Sequence, residues 1–220
     1  MASSKETDIR ILEAAMKTIA RRGPQRLSLS DVCDTAGVSR GTLYRYFKSK
    51  DDLLTALGQY VQDSLIDTIN SAVEEDPDPR HRFRVLSGAI LLYHDLHPEV
   101  AMVAEAEPNF ALPFIREHFP SFIQLVTELL KPVVKEIPAV QSGIIREEDL
   151  AEILLRLTTS VVFIPTRKAQ EVIDTIVAIF TPDTAAQPPN SAPAPDTSTP
   201  AATGSPPKTD LVPAFQTPPW

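Results

Sequence analysis

The sequence predicts an all-α chain, and three observations carry that prediction. Apolar residues recur at three- and four-residue steps along most of the chain up to Phe180, the period of a helix with one buried face. Two Ser-x-x-Asp spacings, Ser28 with Asp31 and Ser49 with Asp52, have the form of capped helix starts. The stretch from Arg80 to Phe180 shows little of the alternation that a half-buried strand requires.

The first helix is expected from near Thr7 to Arg22, with Ile9, Leu12, Met16 and Ile19 on its apolar stripe. Arg21 and Arg22 suit its last turn, where cations complement the helix dipole, and Gly23-Pro24 stops it. Ser28 opens a second helix with Leu29, Val32, Cys33 and Ala36 inward. Gly37 supplies a sharp turn, and Ser39 caps a third helix in which Leu43 and Phe47, four apart, share the buried face. Ser49 opens a fourth helix through Leu53, Leu54, Leu57 and Val61 to about Val73, which Asp76-Pro77-Asp78-Pro79 ends.

Further helices are expected over Phe83–His94, Pro98–Ala106, Leu112–Glu136, Asp149–Ile164 and Lys168–Phe180. Pro120 and Pro132 should kink or interrupt the third of these. The last two have wide apolar faces, Leu150 to Ile164 and Val172 to Phe180, which a second copy of the chain would cover in a four-helix interface. From Thr181 the composition changes: eleven of the 21 prolines lie there, among Ala, Thr and Ser. Such a segment buries too little apolar surface to offset its ordering entropy and is expected to be a disordered tail. The domain organisation expected is therefore 1–57, 58–180 and 181–220.

Charge divides along the same lines. The chain carries a net −8, but Met1 to Leu57 holds ten Lys and Arg against seven Asp and Glu, while Gly58 to Phe180 holds ten against nineteen. Phosphate neutralisation is local, so a basic head on an acidic body fits a nucleic-acid reader that avoids indiscriminate sticking. No signal peptide or membrane-length apolar run is evident, and the single cysteine, Cys33, fits a reducing cytoplasm and a core position.

The run from Gly37 to Leu53 is the most informative in the chain. It has the pattern of the turn and second helix of a helix-turn-helix, with Arg40, Thr42, Tyr44 and Arg45 left facing outward. Cations, a hydroxyl and a phenol on one short exposed helix suit phosphates and base edges.

From Asp31 to Leu54, and above all in Thr42-Leu43-Tyr44 and Tyr46-Phe47 followed by Lys50 and Leu53, the chain resembles the TetR family of bacterial one-component transcriptional regulators. The resemblance spans roughly residues 7–180 and implies about nine helices: a three-helix DNA-binding head and a ligand-binding, dimerising body. Arg156 to Ser160 and Pro165 are similar to the penultimate helix of many actinobacterial members. Carried over by position, the resemblance assigns base-edge contacts to Arg40, Gly41, Thr42 and Arg45, and phosphate contacts to Tyr44, Tyr46 and Lys50. Ser28 and Ser39 would help from helix amino ends. It implies a cytoplasmic homodimer, joined through 149–164 and 168–180, on a near-palindromic duplex operator that it leaves when an effector binds; activators and corepressed members exist.

In the body, Tyr93, His94, His97, Met102, Phe110, Phe114, Phe119 and Phe122 describe an apolar cavity with a few polar groups, suited to a small lipophilic effector. At helical spacing the same residues also serve as ordinary core. No catalytic constellation, cofactor motif or paired metal-ligand pattern stands out. An enzyme is therefore not expected, and the rival reading is a dimeric interaction module that recruits partners through its proline-rich tail.

Overall fold

The computed structural model describes residues 4–164 and 169–180. Ten α-helices are present among them: α1 (Ser4–Arg22), α2 (Leu29–Ala36), α3 (Arg40–Tyr46), α4 (Lys50–Glu75), α5 (Arg82–Leu96), α6 (Pro98–Ala106), α7 (Pro108–Val134), α8 (Pro138–Gln141), α9 (Glu147–Phe163) and α10 (Ala169–Phe180). Single 3-10 turns, Pro24–Arg26 and Pro79–His81, link α1 to α2 and α4 to α5. The all-α class is as expected. Pro165 and the tail 181–220 lie outside the described residues, as do the side chains of Ile176, Ile179 and Phe180.

The first three helices pack as the sequence directs, with one shift. On α1 the buried stripe is Ile11, Leu12, Ala14, Ala15, Thr18 and Ile19, whereas Ile9 and Met16 are only half-buried. The stripe turns toward the small residues because Ala14 and Ala15 let neighbouring helices approach closely. The hydroxyl of Thr18 is satisfied by donating to the Ala14 carbonyl at 2.7 Å, so it enters the core without an orphan polar group. Gly23, at φ 78°, ends α1 with its N–H on the Ile19 carbonyl. Ile11, Ile19, Val32, Leu43 and Leu53 are fully buried in one cluster, completed by Phe47, Leu57 and, from α6, Val103. Leu29, expected inward, is half-buried.

Helix α4 runs without a break through Leu57 to Glu75, so the head and the body share one rod. The body core gathers Ile69 of α4, Phe83, Leu86 and Ile90 of α5, Phe122, Val126 and Leu130 of α7, Leu150 and Leu154 of α9, and Ile173 of α10. Helix α7 is not interrupted. Pro113, Pro120 and Pro132 all lie inside it. All three, and the residues four before them whose carbonyls they leave unpaired, Asn109, Arg116 and Glu128, are on the exposed side where water can satisfy those groups. Phe122, Val126, Leu130, Val133 and Val134 bury the other side and keep the rod continuous. The short α8 was not expected, since four residues carry no readable period.

Of the apolar face expected on α9, Leu150, Leu154 and Val161 enter the intrachain core, Ile153 and Val162 are half-buried, and Leu157 and Ile164 remain exposed. No helix among the described residues is long and apolar enough to cross a membrane.

Candidate functional site

Two features draw the candidate residues together: the outer surface of α2 and α3, and a cavity beneath α4.

On the outer surface the local geometry is set by serine caps and one glycine. The Ser28 hydroxyl accepts from the N–H of Ser30 at 3.2 Å and starts α2. Gly37 ends α2 in the left-handed region, at φ 64° and ψ 38°, with its N–H on the Cys33 carbonyl. The Ser39 hydroxyl then accepts from the N–H of Thr42 at 3.0 Å and starts α3. Two caps and a left-handed turn thus orient α3 against α2 within three residues. Leu43 is fully buried beneath α3, and Phe47 nearly so.

Arg40, Gly41, Tyr44 and Arg45 are exposed on α3; Thr42 and Tyr46 are half-buried. Several of them are already engaged. Arg40 donates from Nη2 to the Ser30 hydroxyl at 2.9 Å, tying the start of α3 to α2. The Thr42 and Ser39 hydroxyls lie 2.9 Å apart. Tyr46 shares a hydrogen bond of 3.2 Å with the Ser4 hydroxyl, and the Arg45 guanidinium lies over its ring at 5.1 Å. The Ser4 bond first, then Arg45, lowers the Tyr46 phenol from its ordinary value. Lys50 is half-buried and donates from Nζ to the Pro24 carbonyl at 3.1 Å, joining α4 to the turn after α1. Arg22 and Asp31 form an exposed ion pair at 2.6 Å between α1 and α2, of the kind that adds at most about 1 kcal/mol. Cys33 is buried, and burial raises its thiol pKa. Ser4 and Ser30, which position Tyr46 and Arg40, carry no signal of that role in the sequence.

The cavity has a volume of about 520 Å³. That size suits a drug-sized molecule. Of the expected ligand residues, Tyr93, His94, Phe110, Phe114, Phe119 and Phe122 line it, together with Val126 and Leu155. His97 and Met102 do not line it: the His97 ring packs on that of Tyr93 at 4.4 Å, and Met102 is half exposed on α6. His97 follows the end of α5 and Met102 faces outward from α6, so spacing alone misleads there. Tyr93 is buried and donates to the Val61 carbonyl at 3.3 Å; burial pushes its phenol up to about 12. The cavity also takes in Met16 of α1 and Leu54, Thr55, Leu57 and Gly58 of α4, which sequence reasoning did not assign to it. One signal was available: a glycine inside a long helix costs about 1 kcal/mol and implies close packing. A Cβ on Gly58 would meet the Phe114 ring at 3.0 Å, so the ring lies directly on the α4 backbone.

Residues 11–57 match the family model described as bacterial regulatory proteins, tetR family. The nucleoid occlusion factor SlmA of Photobacterium profundum is 26% identical over 140 residues, spanning 62% of this chain and 70% of that protein. Among solved structures, the fatty acid degradation regulator FadR of Bacillus halodurans superposes with a TM-score of 0.63 at 20% identity, over 82% of this chain and 97% of that one. AibR, solved in complex with isovaleryl coenzyme A and operator DNA, superposes with a TM-score of 0.56 at 21% identity, over 80% and 99%. Residues 11–57 thus carry the helix-turn-helix segment that the model of the tetR family of bacterial regulatory proteins describes, and the helical fold around it is shared with solved regulators over about four fifths of the chain.

Proposed function

We propose that this chain is a sequence-specific transcriptional repressor, a homodimer that leaves a near-palindromic operator when a small lipophilic effector enters the cavity. One observation carries the reading: the cavity wall is shared between Met16, Leu54, Thr55 and Leu57 of the head and Tyr93, His94, Phe122 and Leu155 of the body. A molecule held there touches α1 and α4 directly. Its affinity therefore depends on the pose of the head, and by linkage the affinity of the head for DNA depends on it.

In this reading 1–57 is the DNA-binding domain and 58–180 the ligand-binding and dimerisation domain. Arg40, Gly41, Thr42 and Arg45 meet base edges; Tyr44, Tyr46 and Lys50 hold phosphate, with Ser28 and Ser39 at helix amino ends. Lys50 gives one of its three donors to Pro24 and keeps two for a phosphate oxygen. The dimer forms through 149–164 and 168–180, where Leu157 and Ile164 are exposed. AibR, a fold relative, is a protein solved with both operator DNA and a small-molecule thioester, which supports the two-ligand scheme.

The test is selection from random duplex DNA followed by fluorescence anisotropy on the selected site. Affinity is expected to fall on the order of a thousandfold between about 50 and 200 mM salt. Arg45→Ala is expected to cost about 1–3 kcal/mol, roughly 5- to 150-fold, and to relax sequence preference. Failure to enrich any sequence, or an Arg45→Ala protein that binds as tightly as the parent, would reject the assignment.

A further inference from the structure

The polar groups of the cavity discriminate among ligands more sharply than its size does. Among the described residues that line it there is no lysine or arginine; the one carboxylate is that of Glu117. The neighbouring polar groups include acceptors. His94 Nδ1 lies 2.9 Å from the Ile90 carbonyl, which can only accept, so Nδ1 carries a proton, and in the neutral ring Nε2 is an acceptor. Gln62 is buried and directs one amide N–H to the Ser121 hydroxyl at 3.3 Å, which leaves its carbonyl oxygen and its second N–H for a further partner. Beside Glu117, the Phe114 and His118 rings sit 4.4 Å apart and add aromatic surface.

An anionic head group entering this space would lose hydration and meet the Glu117 carboxylate, with no lysine or arginine among the described lining residues to compensate. A donor head group meets acceptors on entry, and an ammonium is further attracted by the ring faces. We propose that the cavity takes a lipophilic molecule whose head group donates hydrogen bonds, an amine above all, and that it rejects anionic lipids and acyl thioesters of coenzyme A. This deepens the effector assignment above and rests on the cavity being the effector site. It would also separate this chain from AibR, solved with a coenzyme A thioester, since the phosphates of that carrier are favoured by cations.

The test is calorimetric titration of the full chain, without DNA, against decylamine, decanol, decanoate and decanoyl-coenzyme A. Decylamine is expected to bind most tightly and decanol next. Glu117→Gln, on an exposed side chain that folding does not need, is expected to weaken decylamine about tenfold, as loss of one charge-assisted hydrogen bond does, and to leave decanol unchanged. Phe114→Trp, which fills the cavity, is expected to abolish both, with folding checked by its thermal transition. Decanoate or decanoyl-coenzyme A binding as tightly as the amine overturns the proposal. So does amine binding that survives Phe114→Trp, amine binding indifferent to Glu117→Gln, or no binding by any probe. Operator binding, measured separately, reads the regulator assignment: its absence beside Glu117-dependent amine binding would sink that assignment alone.

Discussion

At Gly37 the chain must turn from α2 into α3 with φ 64°, and nothing lies within 4 Å of where a Cβ would stand. Gly37→Ala therefore meets no steric wall, and its cost is the backbone conformation alone, about 1–2 kcal/mol for an L-residue held left-handed. Urea unfolding of the two proteins, compared at constant slope, reads that difference. Lys50 has two roles that one titration separates. If it holds phosphate beyond its bond to Pro24, Lys50→Ala lowers the slope of log affinity against log salt by about one. An unchanged slope with lowered stability would leave it only the structural bond. Tyr93 supplies a pH dependence. Its phenol is raised in the fold from the ordinary 10 to about 12, so the neutral form is favoured there. The stability this gives is fully present below pH 10 and is lost as pH rises through about 12. Tyr93→Phe is expected to flatten the decline between those limits, measured as denaturant midpoints at pH 8 and near pH 11.

Among the elements, α3 is seven residues long and depends on its cap. A helix this short is not stable by propensity, so Ser39→Ala is expected to cost about 1 kcal/mol and to weaken operator binding by loosening the reading surface. Circular dichroism and anisotropy on the same protein would show both effects, and Ser39→Asp, which also caps, is expected to restore the fold. Helix α7 has the opposite character. Its apolar face holds it continuous through three prolines, each of which removes a hydrogen bond. Pro120 is exposed, so Pro120→Ala returns a bond to the Arg116 carbonyl without disturbing the core. The thermal midpoint is expected to rise; a fall would mean that the local bend is required for packing.

For the molecule as a whole, the decisive quantity is self-association. The exposed Leu157 and Ile164 on α9 and its end lie within the segment proposed to meet a second copy. Sedimentation is expected to give a dimer, and Leu157→Arg to shift it to monomer with operator affinity reduced at least about tenfold, because one head then engages a single half-site. A monomeric parent protein that still binds the full operator would overturn the dimer. The acidic body is expected to lower affinity for unrelated DNA, so the ratio of specific to nonspecific binding, measured at one salt concentration, is expected to exceed about a thousandfold.

The sequence by itself determined the helix-turn-helix. Ser28, Gly37, Ser39, Leu43 and Phe47 act within a few residues of themselves through caps, a left-handed turn and a single-face period, and such local physics is written in spacing. It also determined α6 to the residue, because Pro98 and Pro108 bracket it. Only the tertiary structure decided which residues meet across the chain. Met16, Leu54 and Gly58 join Phe114 and Phe122 around one cavity, while His97 and Met102, at equally helical spacing, stand outside it. It likewise decided that Arg40 leans on Ser30 and Tyr46 on Ser4, and that α7 stays unbroken over its prolines. The reason is the same in each case. A helical period says that a residue lies on a buried face, but what that face is buried against is set by the packing of other helices, and no local spacing encodes it.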